Sequence, residues 1–305
     1  GEKAFCCCPI EKITLPSFVE RFEKEWCIMV HSLADVTVIQ QEIENKYIIG
    51  KTDLNSAIFD ILYFADRSIR KVLIPSFIKI IGSSAFEGCT YLQQVSFPKD
   101  SNCISIERSS FARSSLEKIE IPYQITKIKA GTFQECSDLI TIDIPENSKL
   151  QKFGKDSLLG IPAKNLYIPS FVNKLKANWC DSANKLINIT LSPKNKNFMY
   201  FDDKYIIGKL DNSSSDYDVL FFARRDIEHP IIPSFIKRIA SSAFNSCYKL
   251  RAVSFQRNSQ LEIIDEYAFA FTPLERIKIP SHVKEIKYYA FDDCEKLTIF
   301  EFEEN

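Results

Sequence analysis

Short segments with alternating hydrophobic and polar residues recur along the chain, and a proline usually follows each one. The alternation is clearest in residues 116–121, 139–144 and 274–279, which all end in Ile-x-Ile directly before a proline. Alternation at period two is typical of a short strand with one buried face. Proline lacks the N–H that would continue a strand ladder. The pattern therefore predicts a strand that ends at each proline.

These strand-and-proline units form a regular internal repeat. Pro75, Pro98, Pro122, Pro145 and Pro169 are 23, 24, 23 and 24 residues apart, and the same phase returns at Pro233 and Pro280. After the proline come apolar residues at three-residue spacing and then an Ala-Phe pair such as Ala85-Phe86, which predicts one or two helical or 3-10 turns opposite the strand. A unit of this size cannot bury its own apolar face, so the units are expected to stack into a solenoid with about twelve strands.

A longer duplication is superimposed on the small repeat. The sequence Lys-Tyr-Ile-Ile-Gly-Lys occurs at 46–51 and again at 204–209, an offset of 158 residues. We interpret residues 13–165 and 166–305 as duplicated cassettes of a single solenoid that spans 1–305. Both ends of the sequence fall within a unit, so we expect it to be a fragment of a longer array.

Two segments, 39–69 and 192–227, interrupt the small repeat. Each contains two apolar runs around a polar tip, which predicts an inserted β-hairpin projecting from the solenoid. The apolar runs at 58–64 and 219–222 are expected to offer strand edges or apolar patches for self-association.

The repeat unit resembles a known family. The run Ile-Pro-Ser-Phe-Ile-Lys-x-Ile-x-Ser-Ser-Ala-Phe-x-x-Cys-x-x-Leu, present at 74–92 and again at 232–250, is similar to the BspA-like class of leucine-rich repeats. The resemblance covers nearly the whole chain. It implies an α/β fold in which a parallel β-sheet forms the concave face of a leucine-rich-repeat solenoid, with short helices or 3-10 turns opposite. It also implies a surface antigen or adhesin, on the cell surface or secreted, that binds host extracellular-matrix or cell-surface proteins.

Composition narrows the choice of partners. The 39 basic and 40 acidic side chains nearly cancel, and no long basic run appears, so nucleic acid is not an expected partner. No apolar stretch approaches the roughly 20 residues of a membrane span, so membrane insertion is not expected either. A cytoplasmic scaffold for protein interactions remains an alternative, favoured by unpaired cysteines and the lack of a signal sequence. A self-assembling surface coat is a third possibility.

The residues that usually carry chemistry form no catalytic pattern. His31, His229 and His282 lie in different units without a consistent acidic or nucleophilic companion. No glycine-rich phosphate loop is present. The adjacent cysteines at 6–8 lack the spacing of a zinc site. We therefore predict a protein that is not an enzyme, with no catalytic residue, metal or cofactor. Asn212 is a candidate glycan site if the protein is secreted.

Cysteine and tryptophan are expected in the core. The cysteines at the recurring position fall mostly in every second unit, about 10 Å apart at roughly 4.8 Å per rung, which exceeds the ~7 Å limit for a disulfide. We interpret them as buried thiols; they are Cys27, Cys89, Cys136, Cys180, Cys247 and Cys294. Trp26 and Trp179 occupy equivalent places in the two cassettes.

The most informative candidate surface is the outward face of the predicted strands. Residues two and four positions before each proline should point to the concave side and form two parallel columns. The candidate ligand-binding residues are Lys71, Gln94, Lys118, Glu120, Thr141, Asp143, Asn165, Tyr167, His229, Arg276 and Lys278. Charged, amide and aromatic side chains in one surface fit a protein ligand better than a polyanion.

Overall fold

The computed structural model describes residues 5, 8–10, 12–15, 35–38, 47–53, 55, 58–210 and 215–304. Some features that the sequence predicts lie outside these residues: Cys6, Cys7, Trp26, Cys27, His31 and Asn212. The described chain is a solenoid of parallel strands, as the repeat predicts. The extents of the solenoid, of the two cassettes and of the two inserts remain predictions.

One set of strands precedes the proline position, and we call it the pre-proline set. Its strands are β1 (Lys12–Leu15), β2 (Asp35–Val38), β5 (Lys71–Leu73), β7 (Gln94–Ser96), β9 (Lys118–Glu120), β11 (Thr141–Asp143), β13 (Asn165–Ile168), β15 (Asn188–Leu191), β19 (Ile231–Ile232), β21 (Ala252–Phe255), β23 (Arg276–Ile279) and β25 (Ile299–Phe302). They pair in parallel as β1-β2, β5-β7-β9-β11, β13-β15 and β19-β21-β23-β25. The predicted strands are confirmed, but their sheet is divided into four parts.

A second set follows the proline and forms the post-proline sheets. Its two-residue strands are β6 (Ile80–Ile81), β8 (Ser105–Ile106), β10 (Lys127–Ile128), β12 (Lys152–Phe153), β14 (Lys174–Leu175), β20 (Arg238–Ile239), β22 (Ile263–Ile264) and β24 (Glu285–Ile286). Of these strands, β6, β8, β10, β12 and β14 pair in parallel within one sheet, and β20, β22 and β24 pair within another. The apolar residues that were expected in helical turns partly belong to these short strands.

The predicted helices are wrong, because the described residues contain strands and turns but no helix. The segment around each Ala-Phe pair forms tight turns, and two residues four apart adopt positive φ, as at Ser109 (54°) and Arg113 (55°). Backbone N–H groups between them donate to the next unit: Phe86 N donates to Ser110 O at 2.7 Å, and Phe111 N to Thr132 O at 3.0 Å. Backbone hydrogen bonds between units thus replace the hydrogen bonds that a helix would form within a single segment.

The inserts contain five further strands: β3 (Tyr47–Gly50), β4 (Ile61–Ala65), β16 (Phe198–Phe201), β17 (Tyr205–Gly208) and β18 (Val219–Ala223). They pair antiparallel as β3-β4 and β16-β17-β18. Neither group projects freely, because β4 pairs in parallel with β6 and β18 with β20.

The second insert forms a wall between two parts of the core. All four residues of β17 are buried. Ile206 and Phe222 pack into the core of the preceding units, whereas Tyr205, Ile207 and Leu220 pack into that of the following units. A strand that is buried on both faces needs apolar residues in succession rather than in alternation. The apolar runs predicted as assembly patches are therefore largely interior, and in 58–64 only Ile58 is clearly exposed.

Stacked phenylalanines hold neighbouring units in register. The rings of Phe86, Phe111 and Phe133 follow one another at centroid distances of 5.1 and 5.6 Å. The close approach of neighbouring backbones leaves no space for a side chain at Gly154, where a Cβ would lie 2.6 Å from the carbonyl carbon of Lys129. Each unit thus holds its pre-proline strand at a fixed distance, along the solenoid, from the strand of the previous unit.

Candidate functional site

The pre-proline strands arrange the candidate residues in two columns. Backbone pairing aligns Lys71 with Gln94 and then Lys118 and Thr141, which form one column. In the other column Glu120 is paired with Asp143, and Tyr167 with Thr190. Every candidate side chain is at least partly exposed, because the alternating residues between them, such as Ile119 and Ile142, point into the core.

Five candidates meet in one concavity of about 410 Å³ at the break between β11 and β13. These are Glu120, Thr141, Asp143, Asn165 and Tyr167. The two strands are neighbours in the solenoid but share no strand pairing, so the surface opens between them. Thr141, Asp143 and Tyr167 are half-buried, whereas Glu120 and Asn165 are exposed. The structure thus brings a carboxylate pair, an amide and an aromatic ring into one recess.

Polar contacts order the side chains at the border of this recess. Lys118 Nζ lies 2.8 Å from a carboxylate oxygen of Asp143. The hydrogen bond to Asp143 and its charge raise the pKa of Lys118. Asn188 Nδ2 donates to Asn165 Oδ1 at 2.9 Å. The recess therefore presents a fixed charge pair on one side and an amide ladder on the other.

The other candidates do not join this recess. Lys71 and Gln94 lie on β5 and β7, two or more rungs away. His229, Arg276 and Lys278 belong to the second half of the chain and are exposed. There, Lys278 is paired in register with Glu301, and His229 Nε2 lies 3.8 Å from Glu228. The eleven candidates thus lie on two separate surfaces, one in each half of the chain, and pre-proline strands form both of them.

The described residues offer no arrangement for metal binding, since they include no group of three or more His, Cys, Asp or Glu side chains placed to hold an ion. His229 and His282 are both exposed and lie in different units. Within the described part of the chain, no helix has the length and hydropathy to cross a membrane.

Two buried arginines escaped the sequence analysis. Arg225 is fully buried; its Nη1 donates to Ala223 O at 3.3 Å and Ala243 O at 2.8 Å, and its Nη2 to Cys180 O at 3.4 Å. Arg67 repeats the arrangement with Ala65 O and Ala85 O. The signal was present as Ala-x-Arg at an offset of 158 residues. These arginines bind backbone carbonyls where an insert rejoins the solenoid.

The predicted core cysteines that the structure describes are buried except for Cys294, and Trp179 is buried as well. Cys136 Sγ donates to Phe111 O at 2.9 Å, and burial raises the pKa of its thiol to about 12. Cys89, Cys180 and Cys247 are also buried, whereas Cys294 is half-buried in the last complete turn. The Trp179 ring lies between those of Phe153 and Phe222, at centroid distances of 5.4 and 6.3 Å.

Known structures share this fold at low sequence identity. A structure of the pneumococcal vaccine antigen PcpA is 21% identical with a TM-score of 0.66, covering 81% of this chain and 64% of that one. A leucine rich cell surface protein from Faecalibacterium prausnitzii is 19% identical with a TM-score of 0.55, covering 97% and 89%. A leucine-rich repeat protein from Eubacterium ventriosum is 21% identical with a TM-score of 0.65, covering 78% and 61%. The chain thus spans under two thirds of the first and third of these proteins.

The sequence matches establish the family. No curated protein sequence matches the chain. The profile of the BspA type leucine rich repeat region, in six copies, matches residues 1–62, 57–187 and 215–305. Leucine-rich-repeat solenoids are generally non-enzymatic interaction scaffolds, and the match indicates no catalytic family. The chain therefore belongs to the BspA-type leucine-rich-repeat family.

Proposed function

We propose that this chain binds a protein ligand through the recess between β11 and β13 and mediates attachment to host proteins or to other cells. The observation that carries the proposal is the convergence of Glu120, Thr141, Asp143, Asn165 and Tyr167 on one concavity of about 410 Å³. A half-buried tyrosine surrounded by polar groups is a common anchor in protein interfaces.

The polar groups of the recess favour a protein as the ligand. Lys118 and Asp143 already neutralise each other and Glu120 adds a negative charge, so the recess has no excess positive charge that would select a polyanion. Asn165 and Thr190 offer donors and acceptors beside the aromatic ring. An extended segment or loop of a partner can place an apolar side chain against Tyr167 and satisfy these groups with its backbone.

A position on the cell surface or a secreted state fits this role. Its support is the family itself and the fold likeness to the pneumococcal vaccine antigen and to the cell surface protein of Faecalibacterium prausnitzii. Surface proteolysis of intact cells, followed by detection of the chain with an antibody, tests the location. Protection of the chain from protease until the cells are lysed would instead favour the cytoplasmic scaffold.

The binding test compares two triple variants of the chain. The first carries Lys118→Ala, Asp143→Ala and Tyr167→Ala, which removes the charge pair and the ring. The second carries Lys99→Ala, Asp138→Ala and Tyr91→Ala, which removes the same residue types from exposed positions away from the recess. Saturable binding of each protein to intact host cells and to immobilised extracellular-matrix proteins is measured.

We expect the recess variant to lose binding at least about tenfold, because interface anchors commonly contribute 2 kcal/mol or more. The control variant should bind as the wild type does. Far-ultraviolet circular dichroism and thermal unfolding verify that both variants are folded. Equal binding by a folded recess variant would contradict the proposed site, and absence of binding by the wild type would contradict the adhesin role.

Self-association is a second candidate, favoured by exposed apolar side chains on the second insert. Met199 is 42% exposed and Leu210 is 58% exposed, and Phe235 lies beside a surface concavity with Met199. Light scattering over a concentration series tests this candidate: a mass that rises with concentration supports assembly, and a constant monomer mass excludes it in the range tested.

A further inference from the structure

The outer face of the post-proline sheet carries a continuous row of lysines. Backbone pairing aligns Lys127 on β10 with Lys152 on β12 and Lys174 on β14. Neighbouring strands lie about 4.8 Å apart, so three ammonium-bearing side chains follow one another at rung spacing. Lys176 lies on the same side of β14, because it follows the buried Leu175 as Lys174 precedes it. We call these four residues the lysine column.

No carboxylate neutralises the lysine column within the described part of the chain, where none of its four lysines forms an ion pair. The charge of Lys174 is the main cause of a lowered pKa at Lys176; burial and Lys152 lower it further. Like charges at this spacing repel one another. The column is therefore a concentrated and uncompensated positive charge on a chain with a net charge of −1.

The equivalent surface of the second half provides an internal comparison. There the basic side chains are paired: Lys237 with Asp218, Arg238 and Lys287 with Asp265, and Lys284 with Glu262. Two rows with the same backbone geometry thus differ in charge compensation. The sheet geometry does not require an unpaired lysine row, so the difference lies in the side chains of the first half.

A second row of hydrogen-bonding groups runs beside the lysines. Thr126, Gln151 and Asn173 each precede a lysine of the column, and their backbones are bonded in sequence: Gln151 N donates to Thr126 O at 2.8 Å and Asn173 N to Gln151 O at 2.9 Å. Gln151 and Asn173 are exposed. The two rows together present ammonium groups and neutral hydrogen-bonding side chains over the same three rungs.

We propose that the lysine column and its neutral row bind a linear sulfated polysaccharide. Sulfates would pair with the ammonium groups, and sugar hydroxyls would bond with the side chains of Gln151 and Asn173. The two rows contain no aromatic ring on which a nucleic-acid base could stack. They also contain no large apolar side chain that would enter a lipid layer. The site is on a different sheet from the recess and does not depend on the protein ligand.

Heparin immobilised on a sensor surface is the probe for this site. The test variant carries Lys127→Gln, Lys152→Gln and Lys174→Gln. The control variant carries Lys99→Gln, Lys194→Gln and Lys296→Gln, three exposed and scattered lysines, so both proteins lose the same charge. Chemically desulfated heparin, polyglutamate and vesicles containing phosphatidylserine are offered to the wild type in parallel. Thermal unfolding confirms that each variant is folded.

We expect the wild type to bind heparin at physiological salt, and the affinity to fall as salt increases because counterions are released on binding. The test variant should bind about tenfold more weakly, while the control stays within about twofold. Absence of heparin binding by the wild type would overturn the proposal, as would equal losses in both variants. Binding to desulfated heparin, polyglutamate or vesicles as tight as to heparin would also overturn it.

Discussion

At the scale of single residues, the least expected feature is the pair of arginines inside an apolar core. Arg225 is fully buried, its guanidinium carbon lies 4.5 Å from the centre of the Phe222 ring, and its donors bind carbonyls of three segments. Two of these carbonyls, Ala243 O and Cys180 O, also accept a backbone N–H, so the guanidinium fills the hydrogen-bonding capacity that remains to them inside the core. Arg225 therefore closes the gap where the chain returns from the insert.

Replacement of this arginine should be strongly destabilising. Arg225→Ala leaves a cavity and removes buried hydrogen bonds from a charged group, so we expect a loss of roughly 2–4 kcal/mol in the free energy of unfolding, measured with urea. The adjacent Arg224→Ala removes only partly exposed contacts, an ion pair with Asp226 and a hydrogen bond to Asp203 O, and should cost about 1 kcal/mol or less. Similar losses in the two variants would show that the buried contacts carry no special weight.

Buried thiols make stability sensitive to alkaline pH. Burial raises the pKa of Cys136 to about 12, well above the usual pKa of a free thiol. Only the unfolded chain then releases this proton near pH 9, so the stabilising effect is complete below that range and is lost as the pH rises. From pH 7.5 to 9.5 the wild type should lose about 1 kcal/mol more than Cys136→Val does. Parallel losses in urea titrations at both pH values would contradict this assignment.

At the scale of elements, the pre-proline strands were the most predictable part of the fold. Alternation in 139–144 predicts the half-buried strand that the structure shows at Thr141–Asp143. The turns opposite were not predictable as such, because apolar spacing of three residues suits both a helical turn and a stacked turn. The stacked form is instead marked by residues that tolerate positive φ, such as Gly131 (63°) and Asn178 (57°).

The prediction for the second insert, which is larger than a single turn, was wrong for a similar reason. Its strands were predicted to project, yet the successive apolar residues of Tyr205–Gly208 already indicated burial on both faces. The candidate columns followed from strand alternation. The recess did not, because it depends on how two neighbouring strands separate, and the apolar pattern does not encode that.

The wall formed by the second insert can be tested by removing one of its rings. Phe222→Ala deletes a fully buried ring beside Trp179, so we expect a loss of roughly 3–5 kcal/mol in the free energy of unfolding. Met199→Ala on the same insert removes a side chain that is 42% exposed and should cost about 1 kcal/mol or less. A small effect of Phe222→Ala would mean that the insert is not part of the core.

At the scale of the whole molecule, the solenoid presents two faces with different chemistry. The pre-proline face combines a charge pair, amides and Tyr167 around a recess, whereas the post-proline face of the same units carries the lysine column. Because the buried residues of each rung serve both sheets, the outward residues of either sheet can vary without change in the core. Separate ligands on the two faces are therefore compatible with one scaffold.

The most direct test of the central claim asks which surface touches the protein ligand. A photo-reactive phenylalanine analogue replaces Tyr167 in one protein and the exposed Tyr91 in another, and each is irradiated after saturable binding to host cells. We expect a discrete cross-linked protein from position 167, which unlabelled wild type competes away, and none from position 91. Cross-linking from position 91 alone, or from neither position despite binding, would contradict it.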